Sequence, residues 1–283
     1  MKQKATVIGI VIALVIIFNT CTQQSDFPVL KGPYLSQKPP GMTPEIFAPG
    51  IISTKHKEHS TLAFSPDGTE IFWSIWPIPR SAKIPQVIKF MKMEDGKWSK
   101  PKVASFSGEY MDGGPCFYPD GEKLFFYSNR PLTKNGKPKK DTDFWYVKRT
   151  KNGWSEPEHA GFIINSTNNE QAISFTSDGK MYFSVACQVN GKWEADFYIS
   201  TLKDGLYTTP INISHLINTT PCSGYRPYIA PDESFIIFSS DCRRFGPNNK
   251  YLGGKRKLVI TFRKNDDTWY QTTEMRPAIN ISY

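Results

Sequence analysis

Histidine is scarce in this chain, four residues in 283, and the common catalytic signatures are missing. No Gly-x-Ser-x-Gly turn occurs, which excludes the nucleophile elbow of a serine-peptidase domain. No His-Glu-x-x-His occurs either. His56 and His59 stand three apart on an extended segment, so they point to opposite faces rather than to one metal. His159 and His215 are isolated. Beyond residue 20 no helical spacing of apolar residues is sustained, which excludes a helical domain. The Asp-box of sialidases needs a residue between its Asp and Gly, whereas Asp67-Gly68 and Asp120-Gly121 are adjacent. No motif calls for a cofactor or a metal.

A short phrase recurs instead. Ser65-Pro66-Asp67-Gly68 is followed by Tyr118-Pro119-Asp120-Gly121, Thr176-Ser177-Asp178-Gly179 and Ala230-Pro231-Asp232-Glu233. The copies fall about 55 residues apart, the mark of a repeat architecture. Proline presets φ for a turn, Asp hydrogen-bonds locally, and Gly takes the left-handed conformation that closes a hairpin. Turn chemistry therefore accounts for the repeated Asp better than catalysis or metal binding does. Each turn is flanked by apolar stretches, such as Leu62-Ala63-Phe64 and Ile71-Phe72-Trp73, that read as paired strands. An alternating strand follows (Phe144-Trp145-Tyr146-Val147 in the second copy), then an aromatic-led one opening on Trp98, Trp154, Tyr207 or Trp269. Four strands per unit predict an all-β fold, a β-propeller of four-stranded antiparallel blades with four repeats visible. The recurring aromatics are expected to pack between blades. Residues 44–54 echo the end of the second unit and are expected as an extra outer strand.

The FSPDG-type turns, Ser128-Asn129-Arg130-Pro131, Asp143-Phe144-Trp145-Tyr146-Val147 and Gly153-Trp154-Ser155-Glu156-Pro157 together resemble the WD40-like (PD40) repeat proteins, relatives of the TolB propeller that are frequent among bacterial lipoproteins. The resemblance covers about residues 36–283. It implies a five- or six-bladed propeller of the cell envelope, used mostly as a binding module. The third turn lacks Pro, the fourth lacks Gly, and a fifth repeat is missing, so either a gapped ring or a compact four-bladed closure is expected.

The start of the chain reads as targeting rather than fold. Lys2 and Lys4 precede an apolar run from Ala5 to Phe18, too short for a comfortable membrane span, and Cys21 follows. Residues 1–20 are read as a lipoprotein signal peptide, with Cys21 the lipidated residue and 21–43 its flexible tether. Phe18 and Thr20 depart from the usual lipobox, which leaves an uncleaved anchor as the alternative. Either reading exports and tethers the propeller of residues 44–283, lipid-anchored at the outer membrane or in the periplasm. The formal charge is +9, but Lys134, Lys137, Lys139 and Lys140 lack interleaved aromatics, so a solvated loop is expected and no nucleic-acid partner. Cys222 and Cys242 flank the fourth hairpin and are expected to form a disulfide, while Cys116 and Cys187 read as buried thiols. The triplets beginning at Asn165, Asn212, Asn218 and Asn280 are expected to help the turns between blades.

Counting back equally from each turn Asp reaches His59, Asp112, Glu170 and Gly224, with Tyr225 and Arg226 next along. Innermost strands start at the rim of a propeller's central channel. These positions therefore predict a polar axial ring, with His59, Asp112, Glu170, Tyr225 and Arg226 as ligand-binding residues. The function expected is a membrane-tethered, non-enzymatic module binding an envelope protein or glycan. The alternative is a carbohydrate-active enzyme, a glycosidase or lyase that uses the rim carboxylates.

Overall fold

The computed structural model describes residues 27–58, 62–77, 85–189, 192–217, 222–242, 244–245 and 251–275. Four antiparallel sheets form the four blades of a β-propeller. Blade one comprises Ala63–Phe64, Glu70–Trp76, Val87–Glu94 and Lys102–Val103, with Lys57–Glu58 continuing its first strand. Blade two comprises Asp112–Phe117, Lys123–Ser128, Asp143–Thr150 and Glu158–His159. Blade three comprises Asn169–Phe175, Met181–Val189, Lys192–Ser200 and Ile211–Asn212. Blade four comprises Ser223–Ile229, Phe235–Asp241, Arg256–Phe262 and Thr273–Glu274. Among the described residues the one helical turn is Ser214–Ile217, between blades three and four.

The turn phrase folds as its chemistry dictates. Asp67 accepts the N–H of Thr69 at 3.0 Å, Asp120 that of Glu122 at 2.8 Å and Asp232 that of Ser234 at 3.0 Å. Gly68, Gly121 and Gly179 all have positive φ, and in the fourth copy Glu233 takes the same conformation with φ 59°. That departure has a compensation. The Glu233 carboxylate accepts from Lys180 at 2.7 Å and Tyr182 at 2.6 Å, both on blade three, and pairs with Arg263.

Strand alternation sends successive residues into successive seams. Phe72 faces blade two while Ile71 and Trp73 face away; Leu124 and Phe126 face blade one while Phe125 and Tyr127 face blade three. Tyr182 packs with Ile236 and Phe238 in the seam between blades three and four. Trp154, Tyr207 and Trp269 pack in seams between blades, as their repetition predicts, whereas Trp98 packs against residues 27–53, which stand where a preceding blade would.

The two ends of the series differ. On blade one, residues 27–53 stand where a preceding blade would: Leu30, Leu35, Ala48 and Ile52 are buried against Ile71, Trp73 and Met91. Two sequence expectations change here. Residues 27–43 are folded rather than tether, because Leu30 and Leu35 supply the apolar cover that the face of blade one needs. Residues 44–54 form turns rather than an outer strand, because Ala48 (φ 44°) and Gly50 (φ 78°) coil the backbone and Ile51 and Ile52 both donate to the Ala48 carbonyl. On blade four, Tyr228, Leu258 and Phe262 stay 47%, 37% and 49% exposed. No apolar cluster among the described residues joins that face to blade one.

Each blade hands over to the next through a repeated staple. The N–H groups of Ala104, Ala160 and Ile213 donate to the carbonyls of Ile88, Phe144 and Phe197 on the third strand just completed. The N–H groups of those same three strand residues are accepted by connector side chains, Ser107 at 3.0 Å, Asn165 at 2.6 Å and Ser214 at 2.7 Å. Asn165 also donates its amide N–H to the Phe144 carbonyl at 3.0 Å, so its side chain stands in for a strand.

Candidate functional site

Asp112 and Glu170 take equivalent places at the start of two first strands. The Asp112 N–H donates to the Gln86 carbonyl and the Glu170 N–H to the Thr142 carbonyl, both at 3.0 Å. Both acids are fully buried. Asp112 accepts from Arg130 and Ser107, each at 2.8 Å. Burial pushes its carboxyl above the usual range, against the pull of the Arg130 guanidinium and neighbouring hydroxyls. Arg130 is itself boxed by Phe126, Trp145 and Tyr110 and donates to the Phe106 carbonyl, which explains its place in the Ser-Asn-Arg-Pro phrase.

Glu170 Oε1 accepts the N–H of Ser166 at 3.0 Å and its hydroxyl at 2.6 Å, while Oε2 meets no partner among the described residues. Burial pushes the Glu170 carboxyl up to about 7, and the nearby negative charge of Asp143 adds to the effect. The sequence does not point to Asp143. Its Oδ2 pairs with Lys139 and lies 3.1 Å from His159 Nε2, and those hydrogen bonds outweigh burial to hold its carboxyl below the usual range. Lys139 is thereby drawn out of the basic loop, whereas Lys134, Lys137 and Lys140 are exposed.

His59 lies outside the described residues, as does Cys21. By bonding pattern the blade-one counterpart of Glu170 is Glu58: it stands opposite Ile75 and accepts the Thr54 N–H at 2.9 Å, as Glu170 accepts that of Ser166. Equal counting from the turn reaches His59 instead because the first strand of blade one carries a longer irregularity than the one-residue shifts of blades two, three and four.

A different polar set links blades one, two and four. Gln86 of blade one donates to Tyr127 of blade two at 2.8 Å and to Ser74 at 3.1 Å. Gly113 permits this approach, since a Cβ there would lie 2.2 Å from the Gln86 amide nitrogen and 2.4 Å from the Tyr127 oxygen. The charge of Arg226 on blade four also acts on Tyr127. Burial raises the Tyr127 hydroxyl to about 12, against the Gln86 bond and the Arg226 charge. Arg226 occupies the bulge of its strand with φ 55°, and burial lowers its own pKa. Beside it, Tyr225 donates to the Trp193 carbonyl at 3.1 Å and lies under the Arg256 guanidinium, 5.7 Å from its ring centre.

Of the expected ring, then, Arg226 and Tyr225 sit together, and Asp112 and Glu170 lie in the blade-to-blade seams. Gln86 and Tyr127 are additions that no repeat signal marks: the counterpart of Gln86 in blade two is Thr142, of unlike chemistry. Among the described residues no three His, Cys, Asp or Glu side chains group as a metal site. Cys222 and Cys242 are bridged, with Cα atoms 4.6 Å apart, and Cys116 and Cys187 are free.

No family model matches the chain, and no curated protein does. Solved structures align with it at low identity. A Hadza microbial sialidase, Hz136, aligns over 76% of this chain and 46% of its own length, at 12% identity and TM-score 0.47. A puromycin hydrolase aligns over 79% and 30%, at 14% identity and TM-score 0.45. A post-proline cleaving enzyme from Rickettsia typhi aligns over 78% and 28%, at 11% identity and TM-score 0.42. The chain thus spans less than half the length of these neighbours. Likeness of this degree carries no argument about chemistry.

Proposed function

We propose that the chain is an exported, membrane-tethered propeller of a bacterial cell envelope that binds a protein or glycan without turning it over. The observation that supports this reading is the fate of Asp112 and Glu170. Both are 0% exposed and are held in the seams. A glycosidase needs its two carboxyl groups open to the bond it cleaves. The charges left in the cluster that joins blades one, two and four are Arg226 and Arg256, beside Tyr225 and Tyr127. A guanidinium beside phenol rings suits a polar or anionic ligand through charge-assisted hydrogen bonds and stacking.

The test is a glycan-array and envelope-protein binding screen on the full chain, run beside a turnover screen. Binding without product is expected. Arg226→Asn, which tolerates the left-handed φ, is expected to weaken binding about tenfold, or about 1.4 kcal/mol. Release of reducing sugar that disappears in Glu170→Gln would replace this reading with the carbohydrate-active one.

A further inference from the structure

The fold begins earlier than the targeting sequence suggests. Trp98 N–H groups hold the segment to blade one, the backbone one donating to the Leu30 carbonyl at 3.0 Å and the indole one to the Gly32 carbonyl at 2.8 Å. Between Cys21 and Phe27 the sequence has residues 22–26 alone. At about 3.5 Å per residue that stretch reaches about 20 Å at most. An anchor at Cys21 therefore keeps this part of blade one close to the lipid.

The segment that follows this attachment point forms a cleft with apolar walls and a polar rim. Tyr34, Pro39, Pro40, Ile46, Phe47 and Phe64 line a cleft of about 350 Å³. Met42, on the same loop, is 93% exposed and Ile46 61% exposed. The cleft has a fixed shape: Gln37 bridges it, donating to the Ile46 carbonyl at 3.1 Å and accepting the Ala48 N–H at 2.6 Å. Lys31 is exposed nearby, and Lys38 reaches Glu45 at 2.8 Å on the rim. Apolar tips, a tyrosine and lysines at the rim make the residue mix that sits at the boundary between headgroups and acyl chains.

We infer that this face of blade one rests on the phospholipid bilayer, with Met42 and Ile46 entering the headgroup boundary, so that the anchor and the cleft together fix how the propeller stands on the membrane. The inference depends on the reading of residues 1–21 as a membrane anchor. The short linker singles out the bilayer, because it is the one surface that the linker length brings to this cleft whatever else the protein binds.

The experiment places a nitroxide at Met42→Cys or at Leu252→Cys in the full chain. Leu252 is an exposed residue in the two-stranded hairpin between the second and third strands of blade four, far along the chain from the anchor. Both variants carry Cys187→Ser and are bound to vesicles of phosphatidylethanolamine and phosphatidylglycerol. Oxygen is expected to relax the label at 42 several-fold more than an aqueous nickel chelate does, with the reverse at 252. Equal access of the chelate to both sites, on protein that floats with the vesicles, overturns the inference and leaves the anchor reading standing. Failure of the unlabelled chain to float overturns both. Protection at 42 that rises with protein-to-lipid ratio assigns the cleft to a second copy, and protection that appears only with an added apolar peptide assigns it to a protein. Either result also overturns the inference.

Discussion

The Glu233 carboxylate accepts the hydroxyl proton of Tyr182 at 2.6 Å across the seam between blades three and four. A position that is glycine in the other three turns is thereby turned into a clasp, shared with Lys180 and Arg263. Glu233→Gly would relieve a left-handed φ, a gain of about 1 kcal/mol. It would also remove the Tyr182 hydrogen bond to a charged acceptor, worth about 1.5–3 kcal/mol, and two partly exposed ion pairs worth about 0.5 kcal/mol each. A net loss of about 2 kcal/mol is expected from urea unfolding. A variant as stable as the parent would show that the clasp contributes nothing.

Asn165 provides a second test. Its amide supplies both the acceptor and the donor for the Phe144 backbone. Asn165→Ala leaves a buried N–H short of a partner, at a cost of about 1–3 kcal/mol. Hydrogen exchange should show the Phe144 amide losing protection before the strand interior does. Unchanged exchange there would mean that the connector backbone suffices.

Glu170 predicts a pH dependence of unusual sign. Its folded carboxyl lies near 7, above the ordinary value of 4.5. The folded state therefore holds the proton more tightly, and stability falls as pH rises from about 4.5 to about 7. The swing is on the order of 3 kcal/mol. Glu170→Gln, which keeps an acceptor for Ser166 and carries no charge, should flatten that limb and be the more stable protein at pH 7.5. Parallel pH–stability curves for the two would remove Glu170 as the cause.

The Cys222–Cys242 bridge closes a loop of 20 residues. Chain entropy assigns such a loop about 3 kcal/mol. Reductant, or the Cys222→Ala/Cys242→Ala variant, is expected to lower the unfolding free energy by about that amount and to loosen blade four first. Thiol titration finding four reactive groups in the unreduced, unfolded fragment from residue 22 onward would contradict the bridge.

The chain's local chemistry determined a great deal. Pro, Asp and Gly in one phrase close a hairpin wherever the phrase stands, and period-two alternation around it makes the strands. Repetition of both makes blades. The pairing of Cys222 with Cys242 follows from the same locality, since antiparallel strands on either side of one turn bring flanking residues together. The aromatics at 154, 207 and 269 announced the seams because each seam needs the same filling, and Trp98 fills the matching place under the N-terminal cover.

Tertiary structure alone decided what the polar residues do. Asp112 and Glu170 look like rim acids when counted along the strand, yet the first strand of one blade hydrogen-bonds to the residue before the third strand of the previous one, which puts both carboxyls in a seam. Arg130, Asn165 and Glu233 find partners 18 to 51 residues away, distances at which no periodicity carries a signal. Leu30 and Leu35 belong to a stretch whose glycines and prolines read as a spacer, and they fold because blade one presents an apolar face with no earlier blade to cover it. Turns and strands are settled by forces within a few residues; which face is buried, and which charge is neutralised there, depends on what the rest of the chain brings alongside.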